Sequence, residues 1–69
     1  MTGDELLRYL RRLARKREVA LIVKPGRGDH MKIWFDGKFT VLGGRGEMGK
    51  GLLHAVLRDL GLTLDDLRR

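Results

Sequence analysis

The sequence contains no cysteine, asparagine, glutamine or serine. Without cysteine, neither a disulfide framework nor a thiolate-held zinc site can form, which fits a reducing compartment. The missing amides and thiols match the depletion of thermolabile residues in heat-adapted proteins. No apolar run approaches the roughly 18 residues that a membrane span requires. The opening residues Met1-Thr2-Gly3-Asp4-Glu5 lack the basic start of a secretory signal. The expectation is a cytoplasmic protein with no membrane partner.

What is present is positive charge. Fifteen Lys and Arg face nine Asp and Glu, for a formal charge of +6. A basic surface attracts phosphate chains, acidic proteins or anionic membranes, and arginine grips phosphate with a planar donor fork. At 69 residues the chain is one domain, residues 1–69. So small a domain buries only about 60% of its unfolded surface, so self-association or a bound partner would add needed stability.

Thr2-Gly3-Asp4-Glu5 reads as a capping box. Leu6, Leu7, Leu10, Leu13 and Ala14 then recur at helical spacing, with Arg8, Arg11, Arg12 and Arg15 on the other side. A helix is therefore expected from about residue 3 to about residue 16. Glu18 to Lys24 is a short β-branched run closed by Pro25-Gly26, and it reads as a strand. His30 to Phe35 alternates, placing His30, Lys32 and Trp34 on one face and Met31, Ile33 and Phe35 on the other. Asp36-Gly37 signals a two-residue hairpin, and Lys38 to Leu42 is the returning strand. A flexible glycine-rich loop, Gly43 to Gly51, leads to a second helix from about Lys50 to Leu60. Leu52, Leu53, Val56, Leu57 and Leu60 form its buried stripe, and Gly61-Leu62 suits a Schellman ending. Thr63 caps a last short turn ending in Arg68-Arg69. The fold class is α+β, in the order αβββα: a three-stranded antiparallel sheet with two helices on one face. The other sheet face would carry His30, Lys32 and Trp34 toward solvent or a partner.

Gly44-Arg45-Gly46-Glu47-Met48-Gly49 satisfies the dinucleotide pattern G-x-G-x-x-G, and Gly44 to Lys50 fits G-x-x-x-x-G-K. Neither is accepted. No strand follows the second helix to complete a βαβ unit, and Gly51 stands where a magnesium-holding Ser or Thr is required. The loop is then either a set of tight turns or a modest anion site. In the second case backbone N–H groups at the helix start would act with Arg45 and Lys50 on an RNA backbone.

Of the two histidines, His54 lies off the apolar stripe and is assigned no role. His30 opens the second strand after a glycine-rich turn. Taken alone, a histidine there is ordinarily a surface or structural residue. No His, Cys or carboxylate lies at metal-ligand spacing from it, so neither a metal nor another cofactor is expected.

Order and spacing across nearly the whole chain resemble the HicA family of mRNA-cleaving toxins. The matching segments are Glu5-Leu6-Leu7 at the first helix, Gly28-Asp29-His30 where the family has G-S-H, and Asp36-Gly37 at the hairpin. The run from Gly51 through Leu52-Leu53 to Leu60-Gly61 is similar to the family's second helix and its stop. Asp29 replaces the family's serine, and Met31-Lys32-Ile33-Trp34-Phe35 departs from its usual continuation. The resemblance implies a double-stranded-RNA-binding-domain-like fold and a metal-independent endoribonuclease. It also implies a catalytic role for His30 and neutralisation by a HicB-type antitoxin.

RNA carries its own nucleophile, the 2′-OH, so cleavage needs a base for that proton and donors for the phosphorane charge. Free imidazole titrates near pH ~6.5 and suits the first task. Lys32, on the same strand face as His30, is the candidate to stabilise the phosphate. Lys38, Arg45 and Lys50 are candidates for the flanking backbone, with Gly28 shaping the turn. Trp34 either stacks a base or packs under a neighbouring chain. Two rivals remain: a non-catalytic RNA-binding module on the same frame, and a protein-interaction domain using the Trp34 face.

Overall fold

The computed structural model describes residues 1–68; Arg69, part of the expected closing turn, lies outside the described residues. The elements are α1 (Gly3–Arg17), β1 (Leu21–Pro25), β2 (His30–Phe35), β3 (Lys38–Gly43), α2 (Lys50–Asp59) and α3 (Leu64–Arg68). The expected αβββα order is present, with the closing turn forming a short third helix.

The capping box at the start of α1 is complete. The Thr2 hydroxyl accepts the Glu5 N–H at 3.1 Å, and the Glu5 carboxylate accepts the Thr2 N–H at 2.9 Å. The helix runs one residue past expectation and stops where Glu18 turns left-handed, φ 57°. Val19 then donates back to the Ala14 carbonyl at 3.0 Å. That closure consumes Glu18 to Ala20, so β1 begins at Leu21 rather than at the expected Glu18. Pro25 is tolerated because β1 is an edge strand.

The sheet is antiparallel in the order β1-β2-β3. Asp36 and Gly37 both take positive φ, 50° and 83°, the primed turn whose twist suits a two-residue hairpin. Register puts Leu21, Val23, Met31, Ile33, Phe35, Thr40 and Leu42 on the inner face. There they meet Leu6, Leu7, Leu10 and Leu13 of α1 and Leu53, Val56 and Leu57 of α2 in one core. Thr40 is the buried polar exception, and its hydroxyl donates to Asp59 Oδ2 at 3.1 Å. The α2 ending is a Schellman motif: Leu62 donates to the Leu57 carbonyl at 2.8 Å and Gly61 to that of Arg58 at 3.0 Å.

Two expectations are corrected. Leu52 is 57% exposed rather than buried. The arc centred on Leu53, Val56, Leu57 and Leu60 faces the sheet, and Leu52 falls about a quarter-turn away at about 100° per residue. The glycine-rich loop is not free either. Met48 is buried, its N–H donates to the Met1 carbonyl at 2.9 Å, and Thr2 bridges to Glu47. Gly3 lies so close to this loop that an added Cβ would sit 1.8 Å from the Gly43 carbonyl oxygen. Only glycine fits there. Among the described residues, no helix is long and apolar enough to cross a membrane.

Candidate nucleic-acid interface on the open sheet face

Helices α1 and α2 cover the inner face of the sheet, so the outer face is open. Its strand positions are Ile22 and Lys24, then His30, Lys32 and Trp34, then Phe39, Val41 and Gly43. None is acidic. Lys24 stands directly opposite Lys32, which pairs on its other side with Val41. Trp34 pairs with Ile22 and Phe39, and its ring centroid is 5.0 Å from that of Phe39.

His30 occupies one end of this face, opposite Gly43. Its side chain is 56% exposed. The strand entry is fixed by backbone bonds: the His30 N–H donates to the Arg27 carbonyl at 2.9 Å, and the Gly26 N–H to the His30 carbonyl at 2.8 Å. Gly28 makes the turn with φ 57° and nothing packed against it. Asp29 links the turn to the glycine-rich loop. Its carbonyl accepts the Gly44 N–H at 3.1 Å, and its Oδ2 accepts the Arg45 N–H at 3.2 Å. Its Oδ1 lies 3.5 Å from His30 Nδ1. Nε2 lies over Gly43, where an added Cβ would come 3.9 Å from it. An open depression of about 650 Å³ lies beside it, lined by Pro25, Gly26, Arg27, His30, Lys32 and Val41.

The residues singled out from the sequence separate into groups. His30 and Lys32 meet at the depression, Gly28 sits in the turn between Arg27 and His30 without lining it, and Trp34 continues the same face along β2. Arg45 joins through its backbone bond to Asp29. Lys50 opens α2 after Gly49, an N-cap with no side-chain cap bond, and is not on the sheet face. Lys38 is not brought to His30: it lies on the inner-face side at the opposite end of β3, where its side chain packs against Gly61. Five residue steps along β3 separate it from Gly43, about 17 Å. Sequence reasoning missed Lys24, Arg27 and Phe39. The alternation of Ile22-Val23-Lys24 carried a signal for Lys24, but its partner depended on register. Among the described residues, no three His, Cys, Asp or Glu side chains gather as a metal-ligating group. No family model, no curated protein and no solved structure matches this chain.

Proposed function

We propose that the chain is an endoribonuclease acting without metal, with His30 as its acid–base group, and that it is the toxin of a toxin–antitoxin pair of the HicA kind that its sequence resembles. The observation that carries this reading is His30 itself. An exposed imidazole has a carboxylate oxygen 3.5 Å from Nδ1 and shares its depression with Lys32 and Arg27, on a sheet face with no acidic strand residue.

The chemistry is transesterification. His30 Nε2 takes the proton of a ribose 2′-OH, and the 2′-oxygen attacks the adjacent phosphorus. The bond to the 5′-oxygen breaks, leaving a 2′,3′-cyclic phosphate, and the departing oxygen takes a proton back from the imidazolium or from water. Lys32 and Arg27 stabilise the charge on the phosphorane oxygens, and a positioned acid–base group contributes about 10²–10⁴ in rate. Cytoplasmic RNA is the substrate, and an antitoxin protein covering the open face would neutralise the activity.

Incubation with RNA in EDTA tests the reading. It requires cleavage products that carry cyclic phosphate on one fragment and 5′-hydroxyl on the other; intact RNA, or 5′-phosphate ends, would contradict it.

A second reading, a non-catalytic RNA-binding module, is favoured by the Lys24–Lys32 pair, which serves binding without any chemistry. RNA retained by the protein but uncut over hours distinguishes it. A protein-interaction face would instead rest on half-exposed Ile22, Phe39 and Val41, and its binding would resist added salt where phosphate contacts would not.

A further inference from the structure

Two cross-strand pairs extend the open face beyond His30, and neither belongs to the core on the inner face. The first is the aromatic pair. Trp34 and Phe39 pair across β2 and β3 with their rings tilted by 42°, and Phe39 is 45% exposed. The second is the cationic pair. Lys24 and Lys32 are cross-strand partners, and Lys24 Nζ sits 5.7 Å from the centre of the Trp34 ring. Like charges directly opposite one another destabilise an antiparallel pair, and exposed aromatic surface adds little to a core on the other side of the sheet.

We infer that Trp34 and Phe39 form a stacking notch for an unpaired base of single-stranded RNA, with Lys24 and Lys32 on the flanking phosphates. This rests on the RNA reading above and adds the form of RNA and the residues that hold it. Charge and shape select the occupant. A face with two opposed lysines and no acidic strand position suits a polyanion. Among polyanions, only unpaired nucleobases offer planar π surfaces to lie against tryptophan and phenylalanine. A duplex keeps its bases stacked on one another and presents phosphate and sugar, and an acidic polypeptide brings carboxylates alone. Lys24 is exposed, so a base entering over the Trp34 ring moves its ammonium outward to a phosphate. Trp34 and His30 share one face of β2 four residues apart, about 13 Å. One RNA strand lying along β2 therefore reaches both, and the notch fixes a base to one side of the phosphate at His30.

Trp34 is the sole tryptophan, so its fluorescence reports on the notch directly. The wild-type protein is titrated with a short single-stranded 2′-O-methyl RNA, which lacks the nucleophilic hydroxyl and stays intact. Expected is quenching of Trp34 by the single strand, with little change from the blunt duplex of the same sequence or from poly-glutamate. Phe39→Ala weakens single-strand binding about tenfold, near the low end of one stacked base. Phe39→Leu, which keeps apolar bulk without a π face, gives the same loss if the alanine variant fails to fold. Equal quenching by duplex or by poly-glutamate, or wild-type affinity in the folded Phe39 variants, overturns the inference. Cleavage of unmodified RNA with no response at Trp34 would sink the notch and leave the ribonuclease standing. Quenching without any cleavage would do the reverse.

Discussion

Asp29 Oδ1 stands 3.5 Å from His30 Nδ1, while the other oxygen of the same carboxylate accepts the Arg45 backbone N–H. One side chain thus stands beside the imidazole and ties its turn to the glycine-rich loop. Asp29→Ala removes both contacts and is expected to lower the cleavage rate by roughly tenfold, a fraction of the ~10²–10⁴ that a positioned acid–base group supplies. Asp29→Ser, whose hydroxyl can still accept from the Arg45 N–H, should recover part of the loss. Single-turnover kinetics on one RNA oligonucleotide with the three proteins checks this. Equal rates would show that Asp29 does not position the ring.

The opposition of Lys24 and Lys32 sets stability against binding. Lys24→Glu turns a repulsive cross-strand pair into an attractive one, stabilising the fold by roughly 0.2–1 kcal/mol. The same change places a carboxylate on the open face and removes one phosphate contact. RNA affinity should fall, and the salt dependence of binding should become shallower by about 0.7 in log–log slope for single strands. Thermal melts and binding at several salt concentrations on the same variant show whether the two effects run in opposite directions.

Thr40 and Asp59 make an asymmetric pair. Asp59→Ala strands the buried Thr40 hydroxyl and should cost about 1–3 kcal/mol. Thr40→Val removes the buried donor and leaves Asp59 in water, so it should cost less. In a domain this size each 1 kcal/mol moves the melting temperature by about 4–8 °C. Denaturant unfolding of both variants orders the two costs, and a larger loss for Thr40→Val would contradict the account.

Acid should loosen the helix ends. The Thr2 backbone N–H, then its hydroxyl contact, holds the Glu5 carboxyl below its ordinary 4.5. The Thr63 N–H and then the Arg17 guanidinium, 2.7 Å away, hold Asp66 below 3.8. Both carboxyls are depressed in the folded state, so their stabilisation is present in full above those ordinary values. It is lost as pH falls through the lower folded-state values. The melting temperature should therefore be level near neutrality and decline below about pH 4.5. Glu5→Gln should shrink that decline, as melts across the acid range would reveal.

Local chemistry made most of the frame legible. The Thr2–Glu5 box, the Leu6 to Ala14 stripe, the Asp36-Gly37 turn and the Gly61-Leu62 stop each depend on a few neighbouring residues, and each stands where the sequence placed it. The alternation of β2 put His30, Lys32 and Trp34 on the open face correctly. The failures share a cause in long-range contact. Met48 is buried because Met1 and Gly3 pack on its loop, 40 or more residues away in sequence. Lys38 fell in the right strand but at the far end, because distance from His30 depends on register rather than on composition. Phe39 and Lys24 became part of the site only when β3 and β1 were laid against β2.

The central claim is settled most directly by His30→Ala, assayed for cleavage of a defined RNA and for growth arrest on expression, with circular dichroism to show the fold retained. The side chain is exposed and its backbone bonds are independent of the ring, so the variant should fold as wild type. Cleavage should fall by about 10²–10⁴ and growth should continue. A folded His30→Ala protein that cuts RNA at the wild-type rate would contradict the account.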